Sequence, residues 1–280
     1  MLKTGHLFAG GGGGLLADLI LGHQSLFAVE WDANCCETLR NRAADGWFPE
    51  LRVYEGDVRL FDPSDWKGRV DCIHAGFPCQ DISAAGKGAG ITGARSGLVS
   101  EVFRTIDAVD PMYVFLENSP RIRTRGRHVV IAELVARGYA WRDGILAASD
   151  VGAWHDRDRW WLLAANADGL RQLQQKGCLS DEWRRSYHGA EETADTLRQG
   201  CPDGGRITAT TTSGDERRPV DVASWEETST GEAAWFEAEP DVGRLVYGVA
   251  YELVPGAVKA LGNGQVPLQA AAAFAILSSL

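Results

Sequence analysis

Three stretches of this 280-residue chain are apolar without interruption at strand length: "LFAV" (26–29), "YVFL" (113–116) and "WWLLAA" (160–165). A strand with one wet face alternates apolar and polar residues, so runs like these belong to strands buried on both faces. Shorter strands are predicted at 4–9, in "RVYEGDV" (52–58), in "VDCIHAG" (70–76) and in "AWRDGILAA" (140–148). Between them lie segments with helical character: "LLADLILG" (15–22), "NCCETLRNRAA" (34–44), "GLVSEVFRTIDAV" (97–109) and "HVVIAELVARG" (128–138). Strand alternating with helix predicts an α/β fold, a mostly parallel sheet with helices on both faces.

The character changes at Asn166. Residues 166–242 are polar, show no sustained period, and carry 8 Lys/Arg against 16 Asp/Glu, whereas the rest of the chain carries 20 against 22. Order returns in "LGNGQVPLQAAAAFAILSSL" (261–280), a turn followed by a strong helix former. The expected organisation is a main domain over 1–165, a small irregular region over 166–242, and a segment over 243–280 that rejoins the main domain.

Composition narrows the class. An apolar fraction of 45% supplies one large core. Neither a signal-like start nor a membrane-length apolar run is present, so a soluble, cytoplasmic protein with no membrane association is expected. The six cysteines form no Cys-x-x-Cys pair and no zinc spacing, which predicts reduced thiols and no metal site. The net charge of −10 argues against a generally basic nucleic-acid binder, but "PRIRTRGR" (120–127) places four arginines where they can face phosphates.

Five glycines, Gly10 to Gly14, join the first strand to the first helix. Glycines there let a ligand approach backbone N–H groups. Glu30, 20 residues after Gly10, suits ribose hydroxyls; Trp31 suits a flat base; Asp57 suits an exocyclic amine. Together they favour a nucleoside cofactor, either a dinucleotide or S-adenosylmethionine. Each alone reads equally as a turn or a capping carboxylate. No phosphate-binding lysine follows, which argues against a P-loop. Cys79, between Pro78 and Gln80, falls on the loop after the fourth strand, and Glu117 ends the fifth. A thiol and a carboxylate at one sheet edge suggest covalent catalysis with proton support; a buried structural thiol and a strand-end cap are the plainer alternatives.

In order, "LFAGGGG", "VEWD", "GDV", "GFPCQDIS", "FLENS", "HDRDRWWLLA" and "LGNGQVP" resemble the successive motifs of the DNA cytosine-5 methyltransferases, particularly the short bacterial and phage forms. The resemblance covers about residues 4–165 and 243–280. It implies the Rossmann-like fold of S-adenosylmethionine-dependent methyltransferases, with 166–242 in the place of the target-recognition region. By this similarity Phe8 and Trp31 would pack on the cofactor's adenine, Glu30 would take the ribose and Asp57 the adenine amine. Gly10, Gly12, Val58 and Pro78 would line the same site, and Asn263 would close the methionine end. Cys79 would be the nucleophile, and Glu117 would bond ring nitrogen 3 of cytosine. Arg159 would meet the cytosine carbonyl, and Arg157 would orient the site or a phosphate. Phe77 and Pro78 would wall the flipped base. Gln80, Ser83, Lys87 and Arg95 would belong to a loop closing on DNA, and Arg121, Arg123, Arg125 and Arg127 would grip the backbone.

The chain departs from the family pattern at His6, Gly11, Trp154 and His155. The expected partner is double-stranded DNA in a bacterial cell or a phage-infected host, bound by a monomer. An RNA-directed relative and a catalytically silent DNA-binding relative are the alternatives. A nicotinamide dehydrogenase would leave "PCQ" and "ENS" unexplained.

Overall fold

The computed structural model describes residues 1–78, 97–153, 155–175 and 264–279. Its strands are β1 (Lys3–Leu7), β2 (Gln24–Glu30), β3 (Arg52–Glu55), β4 (Cys72–Gly76), β5 (Tyr113–Asn118), β6 (Ala140–Leu146) and β7 (Arg159–Ala165). Its helices are α1 (Gly13–Ile20), α2 (Ala33–Ala44), α3 (Val99–Val109), α4 (Ile122–Arg125), α5 (Arg127–Ala136), α6 (Ala167–Gln175) and α7 (Pro267–Ser279). The strands form one sheet in the order β3-β2-β1-β4-β5-β7-β6. The pairs from β3 to β5 are parallel, and β7 runs antiparallel to both β5 and β6. The result is a Rossmann-like α/β fold. The chain order reverses between β1 and β4, and the crevice beyond the carboxyl ends of these strands is where such sheets take ligands.

Alternation along the strands builds two cores. Val114, Leu116, Trp160 and Leu162 face α3 and α5, where Val102, Ile106, Ile131 and Leu134 meet them. Tyr113, Phe115, Trp161 and Leu163 face the other way, toward Leu173 of α6 and Phe274 of α7. The adjacent tryptophans Trp160 and Trp161 therefore serve opposite faces, and both are fully buried. Each removes roughly 200 Å² from water, about 5 kcal/mol of transfer free energy. Trp161 also stacks on Phe115 at 5.2 Å.

On α7, Ala270 to Ala273 are all buried. Four small side chains in succession let this helix lie close against α1 and the sheet, and Pro267 begins it where no backbone N–H is needed. α6 docks on the same face: the Tyr113 hydroxyl donates to the Gly169 carbonyl at 2.9 Å. Among the described residues no helix is long and apolar enough to cross a membrane.

The arginine-rich window divides. Arg121 and Arg125 are exposed, Arg123 is partly so, and Arg127 is buried. Arg127 Nη2 donates to Asp143 Oδ1 at 2.7 Å, its Nε pairs with Asp143 Oδ2, and Trp160 Nε1 donates to that same carboxylate at 2.6 Å. The expectation that Arg127 faces phosphate is thereby corrected: one helical turn carries it under the sheet edge, where an ion pair compensates its burial.

Candidate active site

The glycine run serves two purposes. At Gly10 and Gly11 an added Cβ would meet nothing within 4 Å, so these residues border open space at the crevice. At Gly12 it would strike Leu39 at 2.8 Å, and at Gly13 the backbone carbonyl of Gln265 at 2.1 Å. These two glycines admit packing partners from α2 and from the C-terminal segment. Phe8 and Gly10 take left-handed backbone angles, φ 56° and 55°, turning the chain sharply off β1.

Glu30 fastens this turn. Its Oε2 accepts from Gly10 N at 2.7 Å, and its Oε1 from Trp31 N and Asp32 N at 2.8 Å each. Asp32 in turn caps α2 by accepting from Asn34 N and Cys35 N. The Trp31 ring stands 71% exposed beside this carboxylate, a large apolar surface in contact with solvent. Asp57 caps the short turn Val58–Leu60 and pairs with Arg59 at 2.5 Å, so an exocyclic amine would have to share it. Val58 is buried, and its carbonyl accepts from Arg104 at 3.0 Å. Asn263 lies outside the described residues.

Cys79, Gln80, Ser83, Lys87 and Arg95 also lie outside the described residues, as does Trp154. β4 delivers the chain to Pro78, which is exposed at the sheet edge. Phe77 is buried in the core, and its carbonyl accepts from Asn118 Nδ2 at 2.8 Å. The Phe77 side chain therefore belongs to the core rather than to a wall around a base, and Asn118 holds the chain leading to Cys79.

Glu117 stands opposite Gly76 in the β4–β5 register and is buried at the carboxyl edge. Arg159 Nε lies 2.8 Å from its Oε1. Burial pushes the Glu117 carboxyl above its ordinary range, against the downward pull of Arg159, of a hydrogen bond from Gln265, and of Arg157. Burial wins because the carboxylate has lost its water and recovers only part of that solvation from partners. Arg157 Nη2 donates to the Gly264 carbonyl at 2.6 Å, and Gln269 Nε2 donates to the carbonyls of Leu146 and Arg157 at 2.8 and 2.7 Å. Arg157 thus fastens the C-terminal segment across the site, while Arg159 faces the carboxylate.

Two residues of this site were not singled out from the sequence: His74 and Gln265. Gln265 sits inside "LGNGQVP" and His74 inside "VDCIHAG", but only long-range packing brings Gln265 between His74 and Glu117. Behind them lies a buried polar set. Asp18 Oδ2 lies 2.7 Å from both His6 Nε2 and Ser25 Oγ, and it also accepts from Thr4 Oγ1. His6, Asp18 and His74 offer ligand atoms all within 4.8 Å of one another. The 2.7 Å separation of His6 Nε2 from Asp18 Oδ2 is shorter than the about 3.3 Å between two ligands of one tetrahedral zinc ion. His6 and Asp18 therefore join Thr4 and Ser25 in a hydrogen-bonded network, with the His74 ring packed beside it. His6, one of the departures from the family pattern, thus faces Asp18 of α1 and packs 5.0 Å from His74.

A family model described as C-5 cytosine-specific DNA methylase matches residues 2–225. The Type II methyltransferase M.CviJI of Paramecium bursaria Chlorella virus IL3A is 39% identical over 43% of this chain and 33% of its own length. M.NgoBI of Neisseria gonorrhoeae is 32% identical over 58% of this chain and 50% of its own. The matches thus span between about a third and a half of these relatives. Among solved structures, the S. pombe Dnmt2 methyltransferase superposes with a TM-score of 0.48 at 19% identity, over 61% of this chain and 55% of that one. With the family model matching most of its length, the chain belongs to the C-5 cytosine-specific DNA methylases.

Proposed function

We propose that the protein is a DNA methyltransferase acting on carbon 5 of cytosine in double-stranded DNA, with Cys79 as nucleophile and S-adenosylmethionine as cofactor. The observation that carries the reading is Glu117: a buried carboxyl group, ion-paired to Arg159, beside the strand that leads into Cys79. The crevice residues fit the cofactor. Glu30 keeps acceptor capacity beyond its three backbone donors, the Trp31 ring is exposed for an adenine face, and Gly10 and Gly11 leave room for a ligand. When bound, S-adenosylmethionine supplies an electrophilic methyl group on a sulfonium centre, which an enamine carbon can take.

The chain's own residues make that enamine. The Cys79 thiolate adds to carbon 6 of cytosine while Glu117 protonates or hydrogen-bonds nitrogen 3, and the electron pair moves to carbon 5. Arg159 keeps Glu117 in place through the addition. Once carbon 5 carries the methyl group, a solvent base takes the carbon 5 proton, that electron pair expels the Cys79 thiolate, and nitrogen 3 returns its proton to Glu117. Cysteine suits both steps as nucleophile and leaving group. The target atom is inaccessible inside a duplex, so the base must leave the stack. Lys87, Arg95, Arg121 and Arg123 supply the expected phosphate contacts, and 166–242 the base-reading surface.

The test is transfer of labelled methyl from S-adenosylmethionine to unmethylated duplex DNA. The wild-type protein should label DNA and Cys79→Ser should not. Near-normal labelling by Cys79→Ser would remove the covalent mechanism.

A further inference from the structure

The mechanism above holds Glu117 by one partner, Arg159, yet the carboxylate has two oxygens. Gly76 shows what meets the second. A Cβ there would lie 2.9 Å from Glu117 Oε2 and 3.0 Å from Gln265 Nε2, so these two atoms converge over a residue without a side chain. The other end of the same amide faces inward. A Cβ on Gly14 would lie 2.9 Å from Gln265 Oε1 and 3.0 Å from His74 Nδ1. Gln265 thus lies between His74 and Glu117, where its amide lowers the proton affinity of the carboxyl group and raises that of the imidazole.

The orientation of the amide follows from His74. Its ring is fully enclosed and fixed between His6, at 5.0 Å, and Phe115, at 4.8 Å. Among the described residues, His74 Nε2 has no hydrogen-bond partner. Burial lowers the affinity of the imidazole for a second proton, so the ring is neutral with one N–H. A buried donor without an acceptor costs more than a buried weak acceptor, so the proton belongs on Nδ1, where Gln265 Oε1 can receive it. That choice turns the amide: Oε1 toward His74, the NH₂ toward Glu117.

We propose that Gln265, oriented by His74, is a positioning residue for Glu117, fixing Oε2 as Arg159 fixes Oε1 and so aiming the carboxyl group at nitrogen 3 of the substrate cytosine. The assignment rests on the cytosine-5 methyltransferase reading. Both glycines belong to it, since a side chain at either position would displace the amide.

Four full-length variants test it: Gln265→Met, isosteric without hydrogen bonds; His74→Leu, apolar; His74→Asn, whose amide keeps a donor near the Nδ1 position; and Cys79→Ser as the inactive control. Single-turnover labelling of unmethylated bacteriophage duplex DNA gives the rate, and equilibrium binding gives S-adenosylmethionine affinity. Gln265→Met and His74→Leu should each lose about tenfold or more in rate with cofactor affinity within about twofold. His74→Asn should recover most of the loss seen in His74→Leu. The ¹³C carboxyl titration of Glu117 should move upward in Gln265→Met, a readout that needs no turnover.

A role in packing alone predicts the reverse order, with the apolar His74→Leu more active than His74→Asn and the Glu117 titration unmoved; that result overturns the proposal. Failure of both apolar variants to fold also counts against it. Absence of labelling by the wild type, with the Glu117 titration still moved by Gln265→Met, would sink the methyltransferase reading and leave the contact standing.

Discussion

Arg159 reaches Glu117 from the neighbouring antiparallel strand, Nε to Oε1 at 2.8 Å, two residues along from Trp161, the register partner of Glu117. Both side chains lie on one face at the end of β7, where the sheet opens toward the crevice. The pair joins a buried carboxyl group to a partly exposed guanidinium. Glu117→Gln should therefore lower single-turnover methylation by about a hundredfold or more, the range of a positioned acid–base group. Because the Glu117 carboxyl is already raised by burial, Arg159→Leu should raise it further. If the protonated form serves nitrogen 3, the rate falls as pH rises through this group, and Arg159→Leu shifts that limb upward. A limb that stays put would exclude Glu117 as its source.

Trp31 separates binding from folding. Its ring is 71% exposed, so Trp31→Ala should leave thermal stability within about 0.5 kcal/mol of wild type. The same change should weaken S-adenosylmethionine binding by up to about tenfold, the worth of one aromatic stack. Isothermal titration alongside a melting curve decides it: lost stability with unchanged affinity would place the ring elsewhere in the protein's economy.

The arginine window divides into two kinds of residue. Arg127 and Asp143 form a pair whose side chains are 10% and 3% exposed. Removing one partner leaves a buried charge, so Arg127→Ala should cost about 3–5 kcal/mol in urea unfolding. Arg121 is exposed, and Arg121→Ala should leave stability unchanged while reducing the salt dependence of DNA binding by about one phosphate contact. Equal loss of stability in both variants would contradict the division.

Acid should unfold the protein from an unusually high pH. His74 is held neutral down to about pH 3, first by burial and then by the neighbouring His6. An unfolded histidine takes its proton near pH 6.5, so between about 6.5 and 3 the unfolded state binds more protons. The stabilisation is complete above 6.5 and declines below it, by about 1.4 kcal/mol per pH unit at most. Burial pushes Asp18 upward, but His6, His23 and His74 outweigh it and hold this carboxyl far below its ordinary range. Its contribution is complete above about pH 4 and adds to the decline beneath. Urea midpoints should hold between pH 7.5 and about 6.5 and then fall steadily to pH 4.5; a flat profile throughout would refute the buried neutral His74.

Much of this architecture is visible in the chain itself. "YVFL" and "WWLLAA" could only be strands covered on both sides, and they are. The end of β2 was equally legible: its pattern stops at Glu30 and Trp31, where the strand ends. What escaped is whatever depends on contact between distant segments. Arg121 and Arg127 look alike in "PRIRTRGR", and only Asp143 on another strand separates them. Gln265 looks like a turn residue until Gly13, Gly14 and Gly76 are seen to make space for it. His6 reads as an oddity of a cofactor motif, while Asp18, twelve residues on and one helix across, turns it inward.

The most direct measurement is the chemical identity of the product. Duplex DNA incubated with the protein and S-adenosylmethionine, digested to nucleosides and separated by mass spectrometry, should contain 5-methyl-2′-deoxycytidine as the new methylated species, absent with Cys79→Ser. N4-methylcytosine or N6-methyladenine in its place, or methyl groups found only on RNA, would contradict the account.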